Sequence, residues 1–187
     1  MITGATTAEL DLDTARALAF GLAFLSSAAL WWLYFDYVAR IAERRLELAE
    51  NRTKLARDAY TYLHVLMIAG VIVSAVGDDL VIAHPEDHLH GAEVAAVAAG
   101  PAIYLLAHTL FRLRMTGTVS VPRLTGTLAC VAIGLFGERV SALVLAALLF
   151  AVLVGVIGWE YQRGARRRAG GESTPMELLE TEATAGG

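Results

Sequence analysis

Five stretches of the chain contain no Asp, Glu, Lys or Arg: Ala17 to Phe35, Ala59 to Gly77, Val94 to Phe111, Leu124 to Gly137 and Val140 to Trp159. All but the fourth are 18 to 20 residues long, close to the roughly 20 apolar residues a helix needs to cross a hydrocarbon core of about 30 Å. In 187 residues of which 56% are apolar and 18% charged, gaps of this length make lipid rather than water the expected solvent. The same composition excludes a disordered polar chain. The expected fold is an all-α membrane protein, a bundle of about five transmembrane helices near residues 17–39, 59–83, 92–112, 122–137 and 140–162.

Lys and Arg near helix ends accumulate on the cytoplasmic side, so their distribution sets an expected topology. Thirteen of the fifteen fall in the first connection (Arg40, Arg44, Arg45, Arg52, Lys54, Arg57), the third (Arg112, Arg114, Arg123) and the tail (Arg163, Arg166, Arg167, Arg168). The opposite side keeps Arg16 and Arg139 and gains the acidic stretch His84 to Glu93. The amino terminus is therefore expected outside and the carboxyl terminus in the cytoplasm of a plasma-membrane protein. The fourth stretch, 14 residues, spans only about 21 Å at 1.5 Å per residue, and a re-entrant hairpin is conceivable there. A hairpin would place the four tail arginines outside. A crossing helix fits the charge bias better, with Arg123 snorkelling and Gly137 to Arg139 forming a tight outer turn.

Residues 1–16 read as a short extracytoplasmic segment; Glu9, Asp11 and Asp13 stand where a signal peptide would be basic. Residues 40–58 suit a helix that continues into the cytoplasm and lies along the inner surface. Residues 163–187 read as a basic and then disordered cytoplasmic tail. The single cysteine, Cys130, has no partner for a disulfide and reads as packing.

Ionisable groups inside a bilayer cost at least about 2.5 to 3.5 kcal/mol at the centre, so those within the apolar stretches carry most of the functional information. Gly100, Tyr104, His108 and Arg112 form one i, i+4 stripe on the third helix, beside the Gly100-Pro101 break. Tyr60, His64, Met67, Val71 and Asp78 share a face of the second. If the two faces meet, Asp36, Tyr60, His64, Tyr104, His108 and Arg112 form an intramembrane polar cluster at the inner end, with Asp78 toward the outer end of the same route. Paired histidines beside a carboxylate can relay protons or couple an ion to a substrate. The competing reading is that Asp36 with Arg40, and His108 with Arg112, are interfacial residues satisfying each other or the headgroups. Trp31, Trp32, Tyr34 and Tyr37 read as an aromatic belt. Gly70 and Ser74, with Ala95 and Ala99, have the small-xxx-small spacing of closely packed helices.

The outer connection offers Asp78, Asp79, His84, Glu86, Asp87, His88 and His90. The order His84-Pro85-Glu86-Asp87-His88 is not HExxH, and its proline breaks the helix that would align the two histidines, so no metal site is expected. GxSxG, Walker and GxGxxG patterns are absent from the sequence. Neither a cofactor nor an enzymatic activity is expected.

Three ordered motifs, Trp31-Trp32-Leu33-Tyr34-Phe35-Asp36, Tyr60-Thr61-Tyr62-Leu63-His64 and Gly100-Pro101-Ala102-Ile103-Tyr104-Leu105-Leu106, resemble the bacterial low temperature requirement protein A family of multi-pass membrane proteins. The similarity runs from about the first helix to the last. Members of that family are usually about twice as long, so the chain resembles their carboxyl-terminal half. The resemblance implies a membrane protein linked to growth in the cold. Joined to the intramembrane polar residues, it leads to an ion- or proton-coupled transporter, or half of one, without naming a substrate. The alternative is a non-transporting membrane factor that supports envelope function in the cold. The expected partners are the lipid bilayer and either an amino-terminal half or further copies of the chain, not nucleic acid.

Overall fold

The computed structural model describes residues 13–48 and 61–170, with the backbone alone at residues 36–48, 116 and 168. Five helices follow one another: α1 (Thr14–Leu48), α2 (His64–Ala83), α3 (Ala92–Thr116), α4 (Val121–Phe136) and α5 (Ala142–Ala169), with a 3₁₀ turn, Gly137–Arg139, between the last two. Among the described residues there is no β-strand. The fold is the expected all-α bundle. Among the described residues four segments are long and apolar enough to cross a membrane: Thr14–Phe35, Thr61–Ala83, Ala92–Met115 and Ala142–Arg167.

Local chemistry sets the helix ends. The Asp13 carboxylate accepts the Arg16 N–H at 2.8 Å and caps α1. Ser120 stands in extended backbone before α4, with Pro122 in the first turn, where its missing N–H costs nothing. Gly117 closes α3 in the left-handed region, at φ 67°, and its N–H returns to the Leu113 carbonyl at 2.9 Å. Three helices outrun the expected spans, α3 by four residues to Thr116, and for α1 the continuation is the one expected over residues 40–58. α1 continues to Leu48 as one unbroken helix, and α5 continues to Ala169, so the basic segment Arg163 to Arg168 is helical. Loss of apolar character ends a membrane span but not a helix, since Arg, Glu and Leu are all good helix formers. The expected surface segment beyond Leu48, the amino-terminal segment before Asp13 and the disordered tail from 171 lie outside the described residues.

α3 is the hub. Its span is 67% buried, against 28%, 33% and 28% for the spans of α1, α2 and α5. It runs antiparallel to α2 through a seam without bulk: a carbon placed on Gly70 would lie 2.7 Å from the Tyr104 backbone nitrogen, and one on Gly77 would lie 2.9 Å from the Val97 Cα. Gly100 meets Ser74 between these two crossings. The small-residue expectation holds for Gly70 and Ser74 on α2, but their partners on α3 are Tyr104 and Gly100 rather than Ala95 and Ala99. Ala95 is exposed and Ala99 half-buried. Trp31, Trp32, Phe24, Ile72 and Leu135 face outward, as lipid-facing residues do.

α4 has 16 residues and a length of about 24 Å, yet it crosses the whole bundle. Its start, Ser120 and Arg123, is bonded to Glu160 far along α5. Its end and the following turn are bonded to the α2–α3 loop: the Gly91 N–H donates to the Glu138 carboxylate at 2.8 Å, His88 Nδ1 donates to the Glu138 carbonyl, and the Ala142 and Leu143 N–H groups donate to the Asp87 and Pro85 carbonyls, each at 2.9 Å. A hairpin would return both ends of the segment to one side. The bundle thus has a loop end, holding residues 84–91 and 137–143, and a basic end, where α3 and α5 finish with Arg112, Arg114, Arg163, Arg166 and Arg167.

Candidate functional site at the basic end

Arg123 is 1% exposed. Expected to snorkel, it instead points into the bundle, because its partners stand on the neighbouring helices at the same depth. Its Nε and one terminal nitrogen donate to the two oxygens of Glu160, each at 2.9 Å, a bidentate fork across α4 and α5. The other terminal nitrogen donates to His108 Nδ1 on α3 at 2.7 Å, and a further bond of 3.4 Å reaches the Leu33 carbonyl on α1. Ser120 adds its hydroxyl to Glu160 at 3.0 Å. One guanidinium therefore joins four helices, and its charge is matched by a carboxylate of which only 17% is exposed.

The hydrogen bonding also fixes the histidine. Arginine has no acceptor, so His108 Nδ1 presents its lone pair and Nε2 carries the hydrogen. That Nε2 is buried and has no hydrogen-bond partner among the described residues. Tyr104 packs on the same ring, centroid to centroid 4.5 Å, while its hydroxyl donates to the Leu30 carbonyl on α1. Tyr34 stands edge-on to His64 at 5.7 Å and to His108 at 6.2 Å. The buried hydroxyls of Thr109 and Thr127 turn back to the carbonyls of Leu105 and Arg123, each at 2.9 Å.

The structure gathers some of the residues expected in the cluster and not others. Tyr104 and His108 lie at its centre, and His64 reaches it through Tyr34. Arg112 sits one turn further along α3, where its Nε donates to Thr118 at 3.2 Å. Val71 faces outward, 45% exposed. Asp36 belongs to α1, but its side chain, like the whole of Tyr60, lies outside the described residues. Tyr34 is not part of a lipid-facing belt with Trp31 and Trp32, because it shares the inward side of α1 with Leu30 and Leu33.

Asp78 is separate from this cluster and lines a cavity of about 30 Å³ between α1, α2, α3 and α5, with Ser26, Leu30, Ser74, Val97 and Pro101 among its walls. Leu30 joins the two sites, because it lines the cavity while its carbonyl takes the Tyr104 hydroxyl. Gly100 and Pro101 lie where the α2–α3 seam meets this cavity. A polar column thus runs from Tyr104 and His108 to Arg123 and Glu160, and Asp78 stands apart from it across Leu30.

The family model described as bacterial low temperature requirement A protein matches residues 1–158. The chain belongs to that family. Among curated proteins, an uncharacterized protein of Rhizobium meliloti (strain 1021) is 30% identical over 146 residues, covering 74% of this chain. The low temperature requirement A chain described here spans about a third of the length of that relative, 34%. No solved structure matches it. Arg123 and Glu160, the centre of the buried cluster in this family member, were not placed in the expected cluster because each reads in the sequence as a helix-end charge. The signal available was opposite charge at equal depth on consecutive helices.

Proposed function

We propose that this low temperature requirement A protein forms an ion-coupled transport unit of the plasma membrane, or one half of such a unit. Its amino terminus would face outward and its arginine-rich end the cytoplasm, in keeping with the distribution of Lys and Arg. The supporting observation is the interior polar cluster: a membrane bundle carries ionisable groups at a cost, and here His108, Arg123 and Glu160 are bonded to one another inside the bundle, with Asp78 in a separate cavity nearer the loop end. The reading assigns the chain no catalysis and gives it lipid as its surroundings. Because the matched relative is far longer, an amino-terminal half or a second copy would complete the translocation path.

The fixed tautomer of His108 narrows the relay idea. Nδ1 is held by Arg123, so protons can enter or leave that ring only through Nε2. A second reading follows from the same guanidinium, which joins α1, α3, α4 and α5 and would serve equally well as a static clamp in a non-transporting membrane factor.

Currents separate the two. Purified protein reconstituted into liposomes on a solid-supported electrode, subjected to jumps in Na⁺ or pH, is expected to give a transient current several-fold above that of empty liposomes. Well-folded protein that gives no current under either jump would overturn the transport reading and leave the clamp.

A further inference from the structure

We infer that the Asp78 cavity is a binding site for one sodium ion, an inference that deepens the transport reading by naming its coupling ion. Three residues with oxygen-bearing side chains line the cavity, Asp78, Ser74 and Ser26, and Val97 and Pro101 of α3 line it beside them. The Ser74 Oγ is buried and has no hydrogen-bond partner among the described residues. The Val97 carbonyl is short of a partner for a different reason. In α3 it would accept the N–H of residue 101, and that residue is proline, which has none. The proline inside the helix therefore removes the usual helical donor to that oxygen, and both residues belong to the cavity lining.

Charge and size select the ion. Among the described residues no Lys, Arg or His lines the cavity, so the half-buried Asp78 carboxylate has no basic neighbour in that lining, and withdrawing a carboxylate from water without a countercharge is disfavoured. A single carboxylate among neutral oxygens matches one positive charge, which suits a monovalent cation better than calcium or magnesium, whose sites draw on several carboxylates or phosphates. All the donors are hard oxygens, which excludes the softer transition metals. About 30 Å³ has room for either alkali cation, and the choice falls to field strength, since a carboxylate attracts the smaller Na⁺ more strongly than K⁺. Breaks in a membrane helix that free backbone carbonyls are a general means of coordinating such ions.

The test is radioactive ²²Na⁺ binding to the purified full chain in detergent, with choline as the ionic-strength control and K⁺ as competitor. Saturable binding at one site per chain, displaced poorly by K⁺, is expected. Asp78→Asn, nearly isosteric, is expected to weaken it at least tenfold. Pro101→Ala is expected to weaken it several-fold, since it restores an N–H to Val97 while improving helix propensity. Circular dichroism and gel filtration on both variants confirm that the bundle is intact. No saturable binding to the parent protein, or binding unchanged in both variants, would overturn the site, and would mean that Asp78 is neutralised by a proton. Binding without any ion-jump current upholds the site and overturns the transport reading. Currents driven by pH jumps and indifferent to Na⁺ do the reverse.

Discussion

Glu160→Ala is expected to cost about 3 to 5 kcal/mol of stability, the range for removing one partner of a buried ion pair. The loss exceeds the value of the bond itself, because Arg123, 1% exposed, is left with a full charge in an apolar interior and Ser120 loses its acceptor. Replacing both partners by apolar residues of similar volume, Arg123→Met with Glu160→Met, removes the uncompensated charge and is expected to recover most of that stability. Thermal unfolding in lipid nanodiscs gives the three values. A Glu160→Ala midpoint within about 2 °C of the parent would show that the pair is solvated, contrary to its burial.

Gly70→Leu is expected to be strongly damaging to the bundle. A first side-chain carbon at Gly70 already falls 2.7 Å from the backbone nitrogen of Tyr104, and backbone cannot rotate away as a flexible side chain can. Overpacking ordinarily costs about 1 to 3 kcal/mol; here α2 and α3 must separate along the seam that also passes through Ser74–Gly100 and Gly77–Val97. Gly21→Leu is the internal control, since nothing stands within 4 Å of a carbon placed there. Fluorescence-detected gel filtration is expected to show a monodisperse peak for Gly21→Leu and loss of that peak for Gly70→Leu. Equal behaviour of the two would contradict the seam.

Both substitutions act on features that were unequally visible in the sequence. The spans were legible, because a charge-free run of 18 to 20 residues has few alternatives to crossing lipid. Even the short α4 was legible, through the charge bias of its neighbours rather than its own length. The site was legible only in part. Spacing along one helix reports which residues share a face, and it placed Tyr104 with His108 correctly. The same reasoning joined His108 to Arg112, four residues on, whereas the guanidinium that His108 meets comes from Arg123 on the next helix. Arg123 and Glu160 are 37 residues apart, a pairing that helical periodicity cannot express. Tyr34 was grouped with Trp31 and Trp32 by proximity in sequence, but Trp31 and Trp32 are more than half exposed while Tyr34 faces His64 and His108.

The satisfied pair at the basic end explains how four helices are held together, but it does not by itself require transport. The column does more than hold the bundle if its charges are needed after the fold has been made independent of them. The Arg123→Met, Glu160→Met double variant meets that condition. Measured as ion-jump current in proteoliposomes, with its unfolding midpoint close to that of the parent, it is expected to lose the current entirely. Retention of the parent current in that folded variant would contradict the account and reduce the buried arginine cluster to a clamp.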